Sequence, residues 1–145
     1  MKFLLYLLLP CLCLLSACEM PKEPTFKKIQ NLKFDGFGEG KINISGDALF
    51  SNPNAFGGTL TGTELDVFID GEKSGHISQR EQIAVPAQSD FSVPIRGALA
   101  SQGLLGKALS FLTKKEMKAR FNGYITIKAL EVEFKVPVNY EQPIK

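Results

Sequence analysis

Cysteine is scarce in this chain, and its placement is informative. The three cysteines in 145 residues are Cys11, Cys13 and Cys18, so nothing beyond residue 18 can form a disulfide or a thiolate metal site. Histidine is scarcer still, with His76 alone, and a lone histidine in a short strand beside a turn reads as a surface residue, not a catalyst. An excess of one charge is also missing. Seventeen basic residues against fifteen acidic give +2, which leaves no electrostatic footprint for nucleic acid. A membrane span needs about 20 apolar residues, whereas the run over residues 3–15 is shorter and is interrupted by Pro10. Paired carboxylates occur, Asp66 with Asp70 and Glu131 with Glu133, but no third one at loop spacing completes a calcium shell. Ser89 and Ser92 have no base arranged by any motif. The expectation is a protein that is not an enzyme and has no catalytic residue, no metal and no cofactor.

What the chain does have is a leader. Lys2 supplies a basic start, residues 3–15 an apolar stretch, and Ser16 and Ala17 the small residues of a cleavage site. Leu15-Ser16-Ala17-Cys18 resembles the lipobox of bacterial lipoproteins, in which cleavage falls between Ala17 and Cys18 and the new terminal cysteine carries acyl chains. On that reading residues 1–17 are a signal peptide, 18–25 the lipidated cysteine and its tether, and 26–145 one domain. The partner so implied is a membrane, reached through the lipid on Cys18. The location is the bacterial cell envelope, with the outer membrane favoured over the inner. Pro21 and Pro24 stiffen the tether, and residues 19–25 span at most roughly 23 Å at about 3.3 Å per residue. Lys22, Lys27, Lys28 and Lys33 cluster near this end, where they could touch lipid headgroups, but Glu19 and Glu23 interleave with them and favour a solvated face.

Period-two alternation dominates the rest and predicts an all-β domain. Residues 26–34 form an irregular first strand, with Ile29 and Lys33 out of phase with Phe26, Leu32 and Phe34. Residues 35–40 read as a glycine-rich turn. Those glycines match neither a dinucleotide fingerprint nor a phosphate loop, since Lys41, Asp35 and Ile42 stand at required positions. In residues 41–51, Ile42, Ile44, Gly46, Ala48 and Phe50 share one face, and Gly46 marks a bulge or a close backbone approach. Residues 59–70 follow, with Leu65, Val67 and Ile69 inward. Asp70-Gly71 predicts a hairpin turn returning through residues 74–78. Phe91, Val93 and Ile95 face inward beyond an apolar segment at 83–86, and Pro86 and Pro94 call for a sheet edge or an outward position. Residues 97–118 change period, and Leu105, Leu109 and Leu112 predict a helix, with Leu104, Ala108 and Phe111 alongside. The wide apolar arc over residues 98–112 either covers an open end of the domain or docks a partner or the membrane. Residues 120–128 and 132–140 predict a closing hairpin.

Phe50-Ser51-Asn52-Pro53-Asn54-Ala55-Phe56, Leu65 through Gly71, Ile83-Ala84-Val85-Pro86, Ser92-Val93-Pro94 and Val136-Pro137-Val138 occur in an order that resembles the late embryogenesis abundant type 2 family, which overlaps the water stress and hypersensitive response domain. The resemblance covers roughly residues 29–140, with Asn52, Pro53 and Asn54 as its clearest motif. It implies an antiparallel immunoglobulin or fibronectin III-like β-sandwich of about seven strands, with one helix before the C-terminal hairpin. It further implies a binding or stress-protective role, to be set against that of an adaptor subunit in an envelope assembly or transport complex. A protein partner in the envelope is the other expected contact, and nucleic acid is not expected.

Overall fold

The computed structural model describes residues 20–100 and 117–144. Eight strands account for most of them: β1 (Thr25–Gly38), β2 (Lys41–Asn52), β3 (Gly58–Ile69), β4 (Glu72–Gln79), β5 (Ile83–Val85), β6 (Ser89–Ala100), β7 (Met117–Ala129) and β8 (Val132–Ile144). All pairings are antiparallel, in the order β1-β2-β6-β4-β3-β7-β8, with β5 added beside the start of β3. The sheet curls until its two edge strands approach, where the ring of Phe26 in β1 meets Tyr140 in β8 edge-on at 5.6 Å.

The inward faces predicted from alternation are the buried ones. Ile44, Ala48 and Phe50 of β2, Leu65, Val67 and Ile69 of β3, Phe91, Val93 and Ile95 of β6, and Val136 and Val138 of β8 are all in the core. Phe50 stacks on Phe91 at 5.5 Å, and Phe26 abuts Phe50 edge-on at 5.4 Å, forming an aromatic knot at the end where the chain enters the sheet. Pairs in these orientations add about 0.5–1.5 kcal/mol beyond the area they bury.

The irregular phase of the first strand is explained by register shifts against β2 between Phe26 and Lys28, between Gln30 and Lys33, and between Phe34 and Gly36. Each extra residue reverses the side-chain alternation, so Phe26, Ile29 and Leu32 all face the core at a spacing of three. The close approach expected at Gly46 is present, but the bulge is on its partner. A Cβ on Gly46 would lie 3.4 Å from the Gln30 carbonyl oxygen and the Leu32 side chain, both within the bulged part of β1. The predicted turn at residues 35–40 also contracts. Asp35 to Gly38 belong to β1, and the reversal is made by Glu39 and Gly40, both at positive φ.

The predicted helix needs correction at both ends. Gly97 to Ala100 continue β6, with Leu99 buried opposite Ile42, and Met117 and Lys118 open β7. Its body, including Leu104, Leu105, Ala108, Leu109, Phe111 and Leu112, lies outside the described residues. Among the described residues there is no helix, and the strands form one continuous curled sheet.

That sheet has a narrow seam. β4 and β6 pair only at Gly75 and Leu99. Arg96 presents its amide toward β4, so Pro94, two residues earlier, faces β4 with no N–H to donate. The Gln79 side chain spans the gap, its Oε1 accepting from Arg96 N at 2.9 Å and its Nε2 donating to the Pro94 carbonyl at 3.3 Å. Pro94 thus occupies an edge within the sheet. Pro86 lies just beyond β5 in the connection to β6.

Candidate functional site

The entry end of the sheet is built around Asn52 and Asn54. β2 ends at Asn52, where Pro53 disfavours helical backbone for the residue before it, and the two asparagines turn inward and are buried. Asn52 Nδ2 donates to the Phe56 carbonyl at 3.0 Å and to the Pro86 carbonyl at 2.8 Å. Its Oδ1 accepts from the Asn54 backbone N–H at 3.1 Å and from Asn54 Nδ2 at 2.8 Å. Asn54 in turn holds the incoming chain: Lys22 N–H donates to its Oδ1 at 2.7 Å, and its Nδ2 donates to the Lys22 carbonyl at 2.7 Å. Gln88 N–H donates to the Asn54 carbonyl at 2.9 Å. One buried network therefore ties together the turn after β2, the connection from β5 to β6, and a tether residue 32 positions earlier in the chain.

The tether is consequently not a free spacer. Pro24 is buried, and Lys27 grips Asp90 in β6, with Nζ 2.7 Å from the carboxylate. The Lys27 ammonium, followed by a Ser51 hydrogen bond, holds the Asp90 carboxyl below the usual carboxylate range. Cys18 and Ala17 lie outside the described residues, four and five positions before the Lys22 clamp.

A second polar constellation lies on the outer face of β3 and β4. The Asp70-Gly71 turn, with both residues at positive φ, makes the predicted hairpin. A bulge at Ser74 then shifts the register so that His76 stands opposite Asp66 while Ile77 faces the core. His76 Nδ1 lies 2.7 Å from Asp66 Oδ1, and Nε2 lies 2.9 Å from Glu64 Oε2. Ser78 Oγ donates to the other Glu64 oxygen at 2.8 Å, and Lys73 Nζ lies 2.8 Å from Asp66. The hydrogen bond to Asp66, then that to Glu64, raises the His76 pKa. Asp66 is lowered chiefly by Lys73, and Glu64 chiefly by Ser78.

Chemically this row is closed. Each ring nitrogen faces its own carboxylate, so neither is left to act as a base, and Ser78 gives its proton to Glu64, not to the imidazole. Asp66 and Asp70 do not converge, since Asp70 accepts from the Lys118 amide at 3.0 Å. Among the described residues no group of three His, Cys, Asp or Glu is arranged to hold a metal ion, and no helix is long and apolar enough to cross a membrane.

No family model and no curated protein matches the chain. Solved structures do resemble it. A protein from Archaeoglobus fulgidus superposes with a TM-score of 0.60 at 12% identity, over 83% of this chain and 96% of that one. AT1g01470 from Arabidopsis thaliana, a solution structure, gives a TM-score of 0.62 at 15% identity, over 90% and 88%. At such identities the likeness is one of fold.

The sequence points to Asn52, Pro53 and Asn54 as a motif, and in the structure Asn54 clamps the tether while Asn52 holds Asn54. That the other half of the clamp is the backbone of Lys22 leaves no trace in a side-chain pattern. The carboxylate neighbours of His76 were missed as a group, although the strong Asp70-Gly71 turn signal placed β3 and β4 side by side.

Proposed function

We propose that this chain is a bacterial envelope lipoprotein, cleaved after Ala17 and acylated on Cys18. Its domain is a late embryogenesis abundant type 2-like β-sandwich that acts without catalysis, as a binding or stress-protective module close to the membrane surface. The observation that carries this reading is the clamp on Lys22. A domain that grips its own tether four residues after the lipobox cysteine is built to be held at a set, short distance from an anchor. Stable anchoring takes two membrane signals, and a diacylated or triacylated cysteine supplies them without a spanning helix. The sandwich reading is supported by the seam, since a single residue pair joins β1-β2-β6 to β4-β3-β7-β8. The reading gives His76 no catalytic part, since each of its ring nitrogens faces a carboxylate.

Intact-mass analysis of the protein extracted from membranes tests the anchor. The expected species begins at Cys18 and carries acyl chains, and replacement by Cys18→Ser abolishes them. A chain that retains Met1, or one unmodified at Cys18, contradicts the reading. For the protective role, a deletion strain should lose viability under drying or osmotic stress, and equal survival would count against it.

A further inference from the structure

We infer that the entry end of the sheet rests on the lipid surface itself, with Leu130 and Val132 inserted among the acyl chains as an apolar contact additional to the anchor. The inference deepens the lipoprotein reading and rests on acylation of Cys18. Strand polarity gathers the relevant parts at one end. The tether, the end of β2, the start of β3, β5, the start of β6 and the β7–β8 hairpin all lie there, linked by the pairs Asn52 with Ser89, Gly58 with Val85 and Thr59 with Lys128. Of the large hydrophobic side chains exposed among the described residues, three belong to this end: Met20 at 83%, Leu130 at 64% and Val132 at 41%.

Leu130 is placed unusually for so apolar a residue. It occupies the tip of a two-residue turn at φ +54°, a position commonly filled by Asn, Asp or Gly. A leucine there stands outside the core cluster and exposes most of its side chain to whatever lies beyond the end of the sheet. The chain itself identifies what lies there. Lys22 is fixed to Asn54, and four residues back to Cys18 reach at most about 14 Å, so the acyl chains start close to this end and it cannot turn away from the bilayer. Charge does not select anionic lipid, because Lys22, Lys27 and Lys128 are accompanied by Glu23, Asp90 and Glu131. The contact is therefore apolar, and a zwitterionic surface suffices.

The sequence has no tryptophan, so Leu130→Trp installs a single reporter. The acylated full-length mature protein, purified from membranes, would be reconstituted into phosphatidylcholine vesicles with brominated acyl chains and compared with Lys41→Trp at the far end. Thermal melts like that of the unsubstituted protein establish folding, and Val132→Trp serves if Leu130→Trp does not fold. Emission from Leu130→Trp should shift to the blue and be quenched severalfold more than that from Lys41→Trp, with or without added anionic lipid. Equal, weak quenching in protein that floats with the vesicles would overturn the inference and leave the anchor standing, including the case where a protein partner covers this end. Protein with no acyl mass on Cys18 would overturn both.

Discussion

The Asn52–Asn54 network and the Glu64–Asp66–His76 row are dense polar clusters among the described residues, and their surroundings set them apart. Both asparagines are buried, and their amides find partners on three separate segments. The His76 row lies half exposed on the outer face of one hairpin, where water competes for every group. Buried neutral groups that lose a partner bear the full desolvation penalty, whereas exposed ion pairs contribute about 0–1 kcal/mol. The cluster richer in charge is thus the one that matters less to the fold. The plain amides connect elements far apart in sequence, and the tether with them.

The largest break in that contrast should come from Asn52→Asp. It keeps the shape of the side chain but loses the Nδ2 donor, and it points a carboxylate at the Phe56 and Pro86 carbonyls. A loss of about 3–5 kcal/mol is expected, the range for an uncompensated buried charge. Burial raises the folded-state pKa of such an aspartate above its unfolded value, so the loss should grow as pH rises above about 4. Urea unfolding at two pH values measures it. Asn52→Ala removes the four hydrogen bonds without adding charge and should cost about 3 kcal/mol, at roughly 0.5–1.5 kcal/mol per bond. Asn54→Ala should cost about 2 kcal/mol on the same scale. Unlike Asn52→Asp, it acts chiefly on the tether, so limited proteolysis near Lys22 should accelerate while the core ladders remain intact.

His76→Ala should have the smallest effect, and its pH dependence identifies it. Because the folded-state pKa of His76 is raised, its contribution is fully present below the unfolded value of about 6.5 and disappears as pH rises through the folded value. Asp66 and Glu64 are lowered, so their share is present above the unfolded carboxylate range and lost as pH falls through their folded values. The wild type should therefore melt slightly higher near pH 6 than near pH 9, and His76→Ala should flatten that slope. A difference as large as that of Asn52→Ala would reverse the ranking of the two clusters.

Much of the sheet was legible because strict alternation reports one buried face. Ile42 to Phe50 and Phe134 to Tyr140 needed nothing more, whereas Val132, in phase with them, lies beyond the end of the core and is exposed. The first strand was harder, because Asn31 at φ +54° and Gly36 at φ +130° accompany bulges, and each bulge reverses the pattern. At residues 97–100 and 117–118 the helix expectation extends the stripe of Leu105, Leu109 and Leu112 over stretches too short to show either period. In the structure Leu99, Met117 and Ala119 bury as alternate strand residues. At the site, Asn52 and Asn54 were visible as a motif, but their function depends on the Lys22 backbone, which any residue type could supply. His76 met Asp66 only because Ser74 bulges. A regular hairpin continued from Asp70-Gly71 would have set Gly75 opposite Asp66.

The claim at the centre of this account is that Asn54 fastens the tether to the domain, and amide hydrogen exchange at Lys22 in the mature protein tests it most directly. Lys22 should be strongly protected relative to Met20, and that protection should vanish in Asn54→Ala while the β3–β7 amides stay slow. Exchange of Lys22 at the rate of an unstructured chain in the wild type would contradict the clamp.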